Sequence, residues 1–164
     1  MVTRQELLDY THALNKAVAM LARRPCSKKE ISDRLLRAQF PEETISLVLY
    51  KLEKEKLLND ESFCEQWIRY RLSGKYGPAV IRRELRMKGI PEDMMDAAFE
   101  AFPPNEEEDN ALHLAIKTWK RVGMAGDLRK NRQKVISALV RKGYDWETAR
   151  SACRRAEEES AGRL

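Results

Sequence analysis

Most enzyme chemistry is done by histidines, cysteines and paired carboxylates, and this chain has few of them in useful arrangements. Its two histidines, His12 and His113, fall within helical patterns with no cysteine or second histidine at ligand spacing. We therefore assign no metal site. Cys26, Cys64 and Cys153 are far apart and form no Cys-x-x-Cys pair, which argues against a disulfide framework or a zinc knuckle. They read as free thiols in a reducing compartment, filling small core positions. Paired acids such as Glu92-Asp93 fall at helix starts, where the positive end of the helix dipole accounts for them without catalysis. Gly74 and Gly77 follow a helical segment instead of a strand, and no Walker lysine-serine pair comes after them, so a phosphate loop is excluded. We expect no enzyme, no cofactor and no small-molecule ligand.

What remains is charge. The net charge is +5 over 164 residues, and its distribution says more than its total. Between Lys16 and Arg37 there are seven basic and two acidic residues; between Arg69 and Lys88, seven and one; between Lys117 and Lys142, nine and one. Acids gather outside these blocks, at Glu92–Glu100, Glu106–Asp109 and Glu157–Glu159. Arg69, Arg71, Lys75, Tyr76, Arg82, Arg83, Arg86 and Lys88 are candidates for meeting nucleic-acid phosphate or an acidic protein groove, as are Arg129, Lys130, Arg132 and Lys134. The competing reading is a solvated helix face whose arginines pair with Glu84 and with neighbouring segments. Tyr76 has two readings as well: stacking on a base, or packing under the Gly-Pro turn.

These residues must be positioned by something, and an internal repeat supplies it. The windows beginning at Ser27, Gly77 and Asn131 align without a gap. Ile31, Ile81 and Val135 coincide, as do Leu35, Leu85 and Leu139, then Phe40, Ile90 and Tyr144. Ile45, Met95 and Ala149 follow, and after them Leu49, Phe99 and Cys153. Each window opens on a helix-start signal: Ser27 with Glu30 as a capping box, Gly77 before Pro78 at the first helical position, and Asn131 as an N-cap. A short corner then leads to a second helix, with Gly89 and Gly143 as left-handed caps in the second and third copies. The first copy reads Ala38-Gln39-Phe40, so its corner is expected to differ in shape.

A further helix precedes each window, carrying Leu14, Ala17, Val18 and Leu21, then Phe63, Trp67, Ile68 and Leu72, then Leu112, Ala115, Ile116 and Trp119. Trp67 and Trp119 are placed in the core. The segment GMAGDLRK, from Gly123, reads as a longer linker. The chain is thus predicted to be all-α: three tandem helix-turn-helix-like modules of three helices each, over residues 1–56, 57–102 and 103–164. No apolar run approaches the roughly 20 residues that span a bilayer, and no secretory leader opens the chain, so a cytoplasmic protein that makes no membrane contact is expected.

The stretches LARRPCSKKEISDRL (21–35), LLNDESFCEQWIRYRL (57–72), YGPAVIRRELRMKGI (76–90) and, more weakly, VISALVRKGYDWETA (135–149) closely resemble the RecX family of regulatory proteins. Gly77, Pro78, Ile81, Glu84, Leu85, Lys88, Gly89 and Ile90 carry the likeness in one block, and Leu58, Asp60, Phe63 and Arg71 in another. The resemblance implies an elongated, curved array that acts as a monomer. It also implies a non-enzymatic modulator of the recombinase RecA, binding RecA and its filaments on single-stranded DNA and mostly inhibiting recombinase, ATPase and coprotease activity. DNA repair, recombination and the SOS response would be regulated in consequence. Direct contact of the basic faces with single- or double-stranded DNA is a further expectation. The alternative is an autonomous DNA-binding helix-turn-helix protein. The chain departs from the family pattern at the first corner and in the acidic run Glu106–Asp109.

Overall fold

A computed structural model describes residues 1–123 and 125–162, and within these the regular structure is entirely helical. The helices are α1 (Arg4–Arg23), α2 (Lys28–Arg37), α3 (Glu42–Lys54), α4 (Asp60–Ser73), α5 (Pro78–Met87), α6 (Glu92–Glu100), α7 (Glu106–Val122), α8 (Leu128–Lys142) and α9 (Trp146–Gly162). They pack in threes, α1–α3, α4–α6 and α7–α9, each group around its own apolar cluster. The repeat register is the register of these cores. Ile31, Ile81, Val135, Leu35, Leu85 and Leu139 are completely buried, and Met95 and Ala149 are buried beside them. Full burial of such a side chain stabilises by about 1.5–3 kcal/mol. Leu58 belongs to the first cluster although it lies beyond residue 56. The three cysteines are free and buried.

The first helices follow the predicted stripes with one shift. In α1 the buried residues are Ala13 and Ala17, whereas Val18 is exposed. Trp119 is buried as expected, while Trp67 is only partly covered. The accessible surface is 10928 Å², against about 8,400 Å² for a compact monomer of this mass. The excess fits a row of small modules better than a single ball.

Helix starts depart from the sequence reading in two places. Ser27 does accept from the Glu30 amide (3.2 Å), but the Glu30 carboxylate does not return to Ser27; it is held by Arg24 and Lys88. The reciprocal capping box is instead Thr3–Glu6, at the head of α1. Asn131 is not an N-cap. α8 starts one turn earlier, capped by Asp127, whose carboxylate accepts from the Arg129 and Lys130 amides. The second half of the expected linker is therefore helix. The buried Asn131 amide group donates to the Gly123 and Ala125 carbonyls, pinning the remaining linker to the helix. Met124, within that linker, lies outside the described residues.

The first corner also differs from expectation. Gln39 takes φ 65°, the same left-handed conformation that Gly89 (φ 80°) and Gly143 (φ 109°) adopt at the equivalent corners. Its shape is conserved without glycine because glycine is needed at the later corners for another reason. A Cβ on Gly143 would lie 2.8 Å from the Gly77 carbonyl oxygen, and one on Gly89 would lie 2.7 Å from the Lys29 Cβ. Each later corner is pressed against the second helix of the module before it. No module among the described residues packs on the first corner, and Gln39 is exposed.

Candidate nucleic-acid interface and the polar spine behind it

The two junctions between modules are built differently. Between the second and third modules the backbones themselves meet: the Gly77 amide donates to the Lys142 carbonyl (2.8 Å) and the Ala79 amide to the Gly143 carbonyl (3.0 Å). A Cβ on Gly77 would sit 2.3 Å from the Gly143 carbonyl carbon, so glycine is required at position 77 by close approach. The Tyr144 hydroxyl donates to the Lys75 carbonyl (2.8 Å), and the Lys75 ammonium donates to Asn110 (3.0 Å). Between the first and second modules side chains do more of the joining. The Asp60 carboxylate accepts from the Lys28 amide (2.9 Å), capping α2 from the neighbouring module, and Lys88 reaches Glu30 (3.2 Å).

A continuous line of polar and aromatic groups runs through both junctions. Glu30 pairs with Arg24 (2.7 Å) and with Lys88. The Lys88 ammonium lies 4.3 Å over the Trp67 ring. The Trp67 indole N–H donates to Glu84 (3.0 Å), which is also gripped by the Arg71 guanidinium (2.8 Å from Nε and 2.5 Å from Nη2). Arg71 stacks on one face of Tyr76 at 3.7 Å, and Lys142 of the third module sits 3.8 Å from the centre of the same ring. Charge-assisted, two-pronged bonds of this kind fix orientation as well as adding energy.

Several residues that the sequence marked as binding candidates are therefore engaged within the protein. Arg71, Tyr76 and Lys88 belong to the spine. Arg82 pairs with Glu92 (3.2 Å) and Asp96 (2.8 Å), Arg86 with Glu92, and Arg132 with Glu157 (2.6 Å). Tyr76 packs between two cations, which answers the question of what covers it within the chain. Among the described residues, Arg69, Arg83, Arg129, Lys130 and Lys134 are exposed and make no ion pair; Arg69 only leans on Phe102 at 5.9 Å. Of the candidates, these five are the cations left available to a partner. They do not occupy matching repeat positions: Arg83 aligns with Asp33 and Ser137. The spine's anchor at Glu84, the Asp60 cap and the Lys142 stack were not singled out as functional from sequence, and only the i, i+13 and longer separations of the folded chain bring them together.

One consequence concerns acid. Burial pushes the Glu30 carboxyl up, but Arg24 and Lys88 outweigh it and hold the group below its usual value of 4.5. A depressed folded-state value means that the stabilisation is complete above the unfolded-chain value and is lost as pH falls through the folded one. The urea midpoint should thus fall between roughly pH 5 and pH 3, and Glu30→Gln should flatten part of that fall while costing about 1 kcal/mol at pH 7. An identical acid profile in the variant would contradict this role for Glu30.

The geometry defines a class: a tandem array of three-helix modules, pinned corner to helix start, with charged outer surfaces. Family models for the first, second and third three-helix domains of RecX match residues 13–52, 59–98 and 106–153 respectively. The chain belongs to the RecX family. It is 36% identical over 143 residues to the regulatory protein RecX of Prosthecochloris aestuarii, covering 87% of this chain and 91% of that one. It is 33% identical over 154 residues to that of Bacillus velezensis, covering 93% of this chain but 58% of the relative, and 33% identical to that of Listeria monocytogenes, of which it spans 54%. The chain thus spans little more than half the length of the latter two. The crystal structure of RecX from Lactobacillus salivarius shares the fold with a TM-score of 0.80, at 24% identity over 91% of this chain and 97% of that chain. A second crystal structure of regulatory protein RecX gives 0.77, at 27% identity over 88% of this chain and 71% of that one.

Proposed function

We propose that the chain regulates the bacterial recombinase RecA, binding RecA and RecA–single-stranded DNA filaments and restraining strand exchange, ATP hydrolysis and coprotease activity. Recombination, DNA repair and the SOS response are restrained as a result. The observation that carries this reading is membership of the RecX family through three consecutive modules. Its physical support is a stiffened row of modules suited to a long periodic target, with unpaired cations at Arg69 and Arg83 and again at Arg129, Lys130 and Lys134. The protein acts as a monomer in the cytoplasm, and the cations meet phosphate directly. Arg82 and Arg86, already paired to α6, are held away from base reading, which weakens the case for an autonomous helix-turn-helix DNA reader.

The two readings separate in one titration. Labelled single-stranded and duplex DNA are titrated with the chain, alone and as RecA filaments, across a salt series. Preferential binding to RecA-coated single strands supports the proposal. Tight, sequence-selective binding to naked duplex, indifferent to RecA, would replace it with the alternative.

A further inference from the structure

The three repeats offer an internal control for surface residues. Each module has a groove between its first and third helices. In the second module it is about 320 Å³, lined by Glu61, Glu65, Asp93 and Ala97 among others; in the third it is about 230 Å³, with Glu147 and Ser151. In the first module, between α1 and α3, it is about 820 Å³ and its floor carries Leu7, Leu47 and Tyr50. These three are 59%, 58% and 65% exposed. Position 47 aligns with Ala97 and Ser151, and position 50 with Glu100 and Arg154. The fold is thus built twice in the same chain without large apolar groups at these places, so Leu47 and Tyr50 are not there to hold the module together. A grouped, exposed apolar surface in a water-soluble repeat marks an interaction site.

We propose that this groove docks an amphipathic, basic helix of a partner protein. Its rim decides the sign. Glu6 and Asp9 stand on the α1 side and Glu43 on the α3 side. Of the cations lining it, Lys51 is neutralised by Glu55 (2.5 Å) and Lys54 leans over the Tyr50 ring at 6.0 Å. The position of Glu43 is acidic in every module, as Asp93 and Glu147. A second copy of this chain placed groove to groove would set these acids against one another. A helix with apolar side chains at i, i+3 or i+4, and i+7, flanked by lysine or arginine, fills the floor and meets the rim. This surface is separate from the cationic residues that carry the proposed function, and it stands whether or not those residues bind DNA.

The test uses two fluorescein-labelled peptides of about 16 residues, long enough to be partly helical. Both carry leucine at the same spacing, one flanked by lysines and the other by glutamates. Fluorescence anisotropy is read with the full chain and with the Leu47→Ala, Tyr50→Glu double variant, which borrows the residues of the second module. The lysine peptide should bind at least about tenfold tighter than the glutamate peptide, and the variant should reduce it to the glutamate level. Single-stranded DNA binding, measured alongside, should be the same for both proteins. Equal binding of the two peptides, no saturation up to about 1 mM, or binding unaffected by the variant would overturn the proposal. So would sedimentation showing a wild-type dimer that the variant abolishes, since the occupant would then be a second copy.

Discussion

Gly143→Ala is expected to lower the unfolding free energy by about 3 kcal/mol, a large share of the stability of a protein this size. Two costs combine. A side chain at φ 109° is strained whatever surrounds it, by about 1–2 kcal/mol. Its Cβ would also lie 2.8 Å from both the Gly77 carbonyl oxygen and the Val80 nitrogen, with little room to relax because both belong to backbone. The reciprocal change, Gly77→Ala, has no conformational penalty at φ −86° but meets the same crossing from the other side. Either change should part the second module from the third, seen as a lower urea midpoint and a second transition. Gln39→Gly is the control. It shares the left-handed conformation without a neighbouring module, so it should shift stability by less than about 1 kcal/mol. Equal effects at positions 39 and 143 would refute the view that corner glycines serve module docking.

Glu84→Ala is expected to cost about 3 kcal/mol, because it strands both the Arg71 guanidinium and the Trp67 indole N–H in a part-buried site. Glu84 and Arg71 side chains are about one-fifth exposed, which puts the pair nearer the buried regime than the surface one. The effect should not be additive with removal of its partner. Arg71→Met in the Glu84→Leu background should recover part of the loss, since two apolar groups leave no orphaned charge. Urea unfolding of the single and double variants reads this directly. Additive losses would mean that the pair is not the anchor of the spine.

Much of the fold was legible in the sequence because its signals are local or strictly periodic. Ile31, Ile81 and Val135 announce a shared core position without any knowledge of tertiary structure. Gly89 and Gly143 announce left-handed corners by residue type alone. Gln39 shows the limit: its corner is dictated by the module's geometry, not by local preference, and an exposed glutamine bears the strain where nothing presses on it. Asn131 shows another. It shares the register of Ser27 and Gly77 and is a good capping residue, yet Asp127 offers a stronger acceptor four residues earlier, and the helix extends to meet it.

The candidate site was less legible, for a physical reason. A helical arginine looks the same in sequence whether it is free or engaged, and engagement is decided by residues 10 to 25 positions away, as for Arg82 with Glu92 and Arg132 with Glu157. Six of the eleven basic residues first read as a binding face, Arg71, Lys75, Arg82, Arg86, Lys88 and Arg132, turn out to brace the helices. Of the acids that brace them, the sequence presents Glu92 as a dipole partner, Glu30 as half of a capping box and Glu84 as an ion-pair partner. What the folded chain leaves unpaired is a smaller set than composition suggests, and it is that set which the functional reading needs.

That need is open to a direct measurement: ATP hydrolysis by RecA on single-stranded DNA, with increasing amounts of the chain. The wild type should slow hydrolysis. A variant with Arg69, Arg83, Arg129, Lys130 and Lys134 all changed to Glu should keep its helicity and urea midpoint, since none of these braces the fold, and lose at least about tenfold in inhibitory potency. Full potency with all five charges reversed, or no effect of the wild type on RecA at any concentration, would contradict the account.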